Sequence, residues 1–254
     1  MNNREKFLAA ADSEIREVLA RVFDKAELYK KTGRAMFTDF LSEREYSEVI
    51  NRKKHIDETP FKAYGGFDDA GRVMLSFSDY DEVFPISAIV CTGRGIGSLK
   101  HPDFLGSIMH LGIERKNVGD IICENDRCVI FASDNVAEYI ADSLISVGGV
   151  FIKCVVENAE NITVKLNFEE ITGTVASLRA DSVVSVMLKS SRSKAAEYIE
   201  GQKFFLNQVI CTKCDKEIKE NDIISVRHHG KARVTDVNGR SKKGRIFITL
   251  QKYS

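Results

Sequence analysis

The stretch SSRSKAAEYIEG (190–201) places two hydroxyls and two cations at one helix start. Ser191 is suited to cap a helix beginning at Arg192, because a serine oxygen accepts one of the first unpaired N–H groups. Arg192 and Lys194 then fall in the first turn. The helix dipole disfavours cations at that end by a few tenths to about 1 kcal/mol, so their presence calls for a compensating anion. Free N–H groups, the Ser191 and Ser193 hydroxyls and the two cations together make a phosphate site. A plain solvated helix start is the competing reading. Arg179 and Asp181, at the head of the preceding helix, add either another charged contact or a structural ion pair.

Lys203, Lys213, Arg227, Lys231, Arg240, Lys242, Lys243 and Arg245 are further candidates for phosphate contact, though strand alternation puts only some of them on one face. Of the adjacent Phe204 and Phe205, alternation makes one a core residue and leaves the other for sheet packing or for stacking on a base. The charge distribution agrees. Residues 173–254 carry 16 Lys/Arg against 8 Asp/Glu, a balance of +8, while residues 1–172 carry 21 against 29, a balance of −8, within a chain of net charge zero. A cationic C-terminal third points to a polyanionic partner. The acidic remainder leaves room for a protein partner.

The elements that must position these residues follow from periodicity. Phe7, Ile15, Val18, Leu19, Val22 and Phe23 share one helical face, which predicts a helix over 3–24. FTDFLSEREYSEVINRK predicts another, capped by Thr38 or Ser42. PFKAYGGFDDAGRVMLSFSD reads as a hairpin. From Pro85 the runs ISAIVCTG, HPDFLGSIMHLGI, GDIICEN, RCVIFAS, NVAEYIADSLISV and VFIKCVV give the order β-α-β-β-α-β, the split βαβ plan of ferredoxin-like and RRM-like domains. ENAENITVKLNFEEITG is a connector with a short strand. After Gly173 come two helices, SLRADSVVSVMLK and SRSKAAEYIEG, the latter ended by Gly201 as its C′ residue, the position that most often takes a left-handed φ. The short strands KFFLNQ, DIISVRHH, KARVTDV and GRIFITLQ follow. The expected fold class is therefore α+β. It comprises an N-terminal helical and hairpin unit (1–82), a central RRM-like unit (83–165) and a C-terminal unit (173–254).

Arg179, Asp181, SRSKAAEYIEG, FLN, Lys213 and DIISVR, in that order over about 178–230, resemble the S4 RNA-binding domain. GGFDDAGR (65–72), KHPDFLGSIMHLGIERKNVGDI (100–121) and GRSKKGR (239–245) are similar to the YlmH proteins, a bacterial S4-containing family with the same three-part order. The resemblance implies binding to structured RNA. It further implies a target in the large ribosomal subunit (rRNA and peptidyl-tRNA) and a role in ribosome-associated quality control. Two turns depart from the S4 pattern. Gln202-Lys203 and Gln208 stand where many S4 domains have Gly-Arg or Gly-Lys pairs and a glycine after the asparagine, and RHHGKARV replaces the more usual Arg-Gly-x-Gly.

Other motifs carry less. GRGIGS (93–98) has neither dinucleotide nor P-loop spacing and reads as a basic loop that reaches RNA through Arg94 and Lys100 or merely connects. CTKC (211–214) has zinc-ligand spacing without a second pair, and the six cysteines read as reduced, mostly buried thiols. His101 and His110 with Asp103 lack a second convergent carboxylate or a nucleophile signature for acid–base work, and Arg115 and Lys116 extend the basic surface or complement a helix C-terminus. S4 domains also ride on pseudouridine synthases and methyltransferases, so an RNA-modifying enzyme is the alternative. No methyl-donor loop is found, and no catalytic residue, metal or cofactor is expected. With no apolar run long enough to span a bilayer and no signal-peptide core, a cytoplasmic protein without membrane contact is expected.

Overall fold

A computed structural model describes residues 2–56, 59–165, 168–240 and 244–253; Lys242 and Lys243 lie outside them. The fold is α+β, in two compact units, 1–165 and 166–254. Among the described residues no helix is long and apolar enough to cross a membrane.

The first unit begins with α1 (Asn3–Leu8) and α2 (Ser13–Thr32), where the periodicity predicts one helix. Ala10 takes a left-handed φ of 54°, and the Asp12 side chain accepts from the Ile15 N–H, so the chain breaks and nucleates again. The predicted face survives the break, since Phe7, Ile15, Val18, Leu19, Val22 and Phe23 are all buried in one cluster. β1 (Met36–Phe37), α3 (Glu43–Asn51), β2 (Phe61–Tyr64) and β3 (Met74–Phe77) follow, the strands pairing in the order β1-β3-β2. Ser42 rather than Thr38 caps α3, in a capping box with Glu45. Thr38 instead accepts from the Leu75 N–H.

The central sheet contains β4 (Ile86–Thr92), β5 (Val118–Cys123), β6 (Arg127–Ser133) and β9 (Lys153–Asn158), all antiparallel in the order β5-β6-β4-β9. With α4 (His101–His110) and α5 (Asp134–Ser143) this is the split βαβ arrangement. A small hairpin, β7 (Ser146–Val147) and β8 (Val150–Phe151), precedes β9. Alternation assigns the two faces. Ile89, Cys91, Cys128 and Ile130 pack with Phe104, Ile108 and Ile140 of the helices. Ala88, Val129 and Phe131 point the other way and are covered by Phe40, Phe67 and Met74.

The GGFDDAGR stretch makes that cover fit. Gly66 has φ 101°, and a Cβ there would lie 2.2 Å from Phe131 Cδ1, so only glycine allows the approach. The Phe67 ring stacks on Phe131 at 5.1 Å, the Gly71 N–H donates to Asp120 Oδ2 at 2.5 Å, and Arg72 donates to the Val118 and Phe40 carbonyls. Arg115 donates to the Val118 and Gly119 carbonyls. Its burial, with Arg72 beside it, lowers its pKa to about 10. It is a structural residue and not part of a basic surface.

The second unit opens earlier than the composition shift indicates. The connector strand β10 (Phe168–Val175) pairs along its length with β15 (Ile246–Tyr253). α6 (Ala180–Met187) and α7 (Arg192–Glu200) follow, then β11 (Phe204–Leu206), β12 (Val209–Ile210), β13 (Ile223–Val226) and β14 (Gly230–Arg240). The sheet order is β10-β15-β14-β13-β11-β12. Val183, Val184, Met187, Ala195 and Ile199 bury one face of the helix pair against Phe204, Ile224, Val234 and Leu250.

Candidate nucleic-acid interface

α7 begins as its sequence predicts. Ser191 Oγ accepts from the Lys194 N–H at 3.2 Å, leaving Ser191, Arg192, Ser193 and Lys194 exposed, while Ala195 and Ile199 are fully buried. Its far end differs from the sequence reading. Gly201 has φ −74°, and the left-handed residue is Gln202 at 56°. The N–H groups of Gln202 and Lys203 reach the Ile199 and Tyr198 carbonyls at 3.2 and 2.9 Å, the bond pattern of a Schellman cap displaced by one residue. A Cβ on Gly201 would come within 2.8 Å of the Glu197 carbonyl oxygen, so glycine is set there by close approach.

Two clusters form around this helix. At its start, Arg192 Nη2 donates to Asp181 Oδ2 at 2.6 Å. Arg179 approaches the same carboxylate through Nε and Nη2 at 3.4 Å, and Ser182 Oγ donates to it at 3.1 Å. Asp181 is 6% exposed. Burial alone would raise its pKa, but the hydrogen bonds from Arg192, Arg179 and Ser182 outweigh that and hold it below the usual carboxylate value. The head of α6 has no side-chain cap; the Ala180 and Asp181 N–H groups donate instead to the Lys216 and Cys214 carbonyls. The CTKC loop is thereby a backbone cap, and it carries exposed Lys213 to the same corner. No group of three or more metal-ligating side chains occurs among the described residues.

The second cluster centres on Tyr198. Lys194 Nζ lies 5.6 Å and Lys203 Nζ 5.8 Å from the Tyr198 ring centre, and His229 Nε2 is 2.8 Å from the Tyr198 hydroxyl. Lys194 also donates to Glu197 Oε2 at 2.7 Å, a pair that raises its pKa. The Arg227 N–H donates to the Lys203 carbonyl, which brings the β13–β14 turn to the same place. Sequence reasoning missed Tyr198, although its four-residue spacing from Lys194 on the helix was available as a signal. Two further cations lie elsewhere, Lys231 on β14 and Arg245 just before β15. Lys231 Nζ is 5.2 Å from the Tyr253 ring centre, and Arg245 donates to the Thr174 carbonyl at 2.7 Å. Phe204 and Phe205 are both buried, 0% and 6% exposed, so neither is open to stack on a base.

Leu206 pairs with Val209 across a two-residue turn in which Asn207 and Gln208 both take left-handed φ, 50° and 65°. Asn207 Oδ1 accepts from the Ile223 N–H, and its Nδ2 donates to Asp222. In the first unit, His101 is exposed at the head of α4, its pKa lowered by desolvation and by Arg115, and His110 Nδ1 lies 2.7 Å from the Gly106 carbonyl oxygen. Asp103 accepts from the Lys100 N–H at the start of α4.

Comparison with known proteins adds the following. Residues 94–161 match the family described as the putative RNA-binding domain in YlmH. Over 244 residues the chain is 23% identical to the ribosome-associated protein quality control protein P2 of Bacillus subtilis (strain 168), covering 93% of this chain and 95% of that protein. A solved structure of the cell division protein ylmH from Streptococcus pneumoniae is 22% identical, with a TM-score of 0.48, over 60% of this chain and 97% of that one.

Proposed function

We propose that this YlmH-like chain is a non-catalytic binder of structured RNA whose C-terminal unit makes the main contact. Its target in this reading is the large ribosomal subunit, through rRNA and a peptidyl-tRNA, and its role is in ribosome-associated quality control. The carrying observation is the Ser191-capped helix start, where four exposed hydroxyl and cationic side chains crowd one corner with Arg179 and Lys213 beside them. A phosphate there accepts from N–H, hydroxyl and guanidinium donors at once, in a unit of strongly positive balance. The relative named as a ribosome-associated quality control protein, aligned over nearly the whole chain, supports the ribosomal target.

The test is co-sedimentation of the full chain with separated ribosomal subunits at low and moderate salt. Appearance in the large-subunit fraction is expected, and absence from it at both salts overturns the ribosomal reading. If about five cations contact phosphate, log K should fall against log salt with a slope of about −3.5 to −4.5.

A further inference from the structure

The central unit has the strand order of RRM-like domains, whose open sheet face stacks bases on aromatic side chains. Here that face is largely closed, with Ala88, Val129 and Phe131 lying under Phe40, Phe67 and Met74. The cover stops short of the β9 edge. Val90 pairs with Val155, which is 48% exposed, and Thr92 pairs with Lys153, both exposed. One alternation further back, Phe151 is 81% exposed, the most exposed large apolar side chain among the described residues. Ile152, Cys154 and Val156, the intervening residues, pack toward the helices. Phe151, Lys153 and Val155 therefore form an outward stripe along the uncovered edge.

A second segment runs beside it. A Cβ on Gly93 would lie 2.4 Å from the Phe151 carbonyl oxygen, and one on Gly95 would lie 3.9 Å from Val150 Cγ2. The loop thus passes against β8 and carries exposed Arg94 between those glycines. Among the described residues neither Arg94 nor Lys153 has an ion-pair partner. The nearest acid on the stripe is Glu157, two alternations beyond Lys153, opposite Ala88. Arg127, opposite Thr92, is already paired with Glu124.

From this we infer that the Phe151–Lys153–Val155 edge with Arg94 is a second RNA contact, taking a single-stranded segment whose base stacks on Phe151 while Arg94 and Lys153 hold the flanking phosphates. An exposed ring with two unpaired cations on the segments that flank it fits a nucleotide, which offers a π-face and two phosphates at once. It fits an apolar protein surface poorly, because docking one there would strip water from two uncompensated charges. The match of 94–161 to a putative RNA-binding domain covers most of this unit and includes every residue of the edge. The inference rests on the RNA-binding reading above and adds a site that this reading does not need.

The test is fluorescence anisotropy of the full chain with a labelled oligouridylate of about ten nucleotides and, separately, with an RNA hairpin. Phe151→Ala should weaken oligouridylate binding roughly tenfold, Phe151→Tyr should restore it to within about twofold, and hairpin binding should hold in both. Lys194→Ala should show the opposite pattern. With 4-thiouridine in the strand, the wild-type chain should crosslink within residues 128–153, the tryptic peptide containing Phe151. Unchanged oligouridylate affinity in Phe151→Ala, or no adduct in that peptide, overturns the inference and leaves the edge as a protein-docking surface. A wild-type chain that binds neither RNA overturns the RNA-binding reading itself.

Discussion

Arg192→Ala separates two roles that the helix start combines. The Arg192–Asp181 hydrogen bond is short, 2.6 Å, and charge-assisted, a type worth about 1.5–3 kcal/mol when buried. Arg192 is 54% exposed, so water takes over part of its solvation, and Asp181 keeps Arg179 and Ser182 as donors. The net loss is therefore about 1 kcal/mol. In a unit of 89 residues (166–254), that lowers the midpoint by about 4–8 °C. Lys194→Ala, which loses an exposed pair with Glu197 and an exposed contact with the Tyr198 ring, should leave the midpoint nearly unchanged, while both variants weaken RNA binding. The pH dependence gives an independent check. The folded pKa of Asp181 lies below its ordinary 3.8, so its stabilisation is complete above that value and is lost as the pH falls through the folded-state value. The gap between wild type and Arg192→Ala should accordingly be full at pH 7 and close below pH 3.8. Urea denaturation at both pH values, followed by tyrosine fluorescence, measures it. A midpoint equal to or above wild type at neutral pH would refute the ion-pair reasoning and return Arg192 to the role of an unanchored phosphate ligand.

Three further outcomes are expected. Gly66→Ala drives a methyl into the Phe131 ring at a left-handed backbone position and should destabilise the first unit by about 1–3 kcal/mol or more, read by thermal denaturation. Gln208→Gly relieves a side chain held at φ 65° in the Asn207-Gln208 turn and should stabilise the second unit by about 0.5–1 kcal/mol in urea titrations. Tyr198→Phe keeps the ring beside Lys194 and Lys203 and should leave RNA affinity near wild type, whereas Tyr198→Ala should lower it several-fold in anisotropy titrations.

Periodicity carried most of the element order. The β-α-β-β-α-β run, the Ser191 cap and the buried faces of α2 and α7 all follow from residue spacing. What spacing did not carry was contact between distant segments. Ala88, Val129 and Phe131 read as an apolar sheet face whether RNA or protein lies on it, and the cover came from Phe40, Phe67 and Met74. Asp181 stands eleven residues before Arg192, so their pairing depends on how α6 meets α7. The end of α7 was misplaced by one residue because glycine was assigned the left-handed position, whereas the cap puts Gln202 there and uses Gly201 for clearance.

The helix start of α7 also acquires a different electrostatic account. Two first-turn cations look unfavourable against the helix dipole, yet they are compensated in different ways. Arg192 is held by a nearly buried carboxylate on α6, which fixes its guanidinium while leaving half of its side chain in solvent. A guanidinium with one edge on Asp181 keeps other N–H donors free for a phosphate, and its position is set before the ligand arrives. Lys194 has only Glu197, an exposed partner that a phosphate displaces at little cost, and it shares the Tyr198 ring with Lys203. Fixed and displaceable cations on one turn divide the work of register and attraction. That division predicts that Arg192→Lys, which keeps the charge and loses the fork, impairs RNA binding nearly as much as Arg192→Ala. Lys194→Arg should be tolerated. Equal tolerance of both exchanges in anisotropy titrations would show that charge alone matters at this corner.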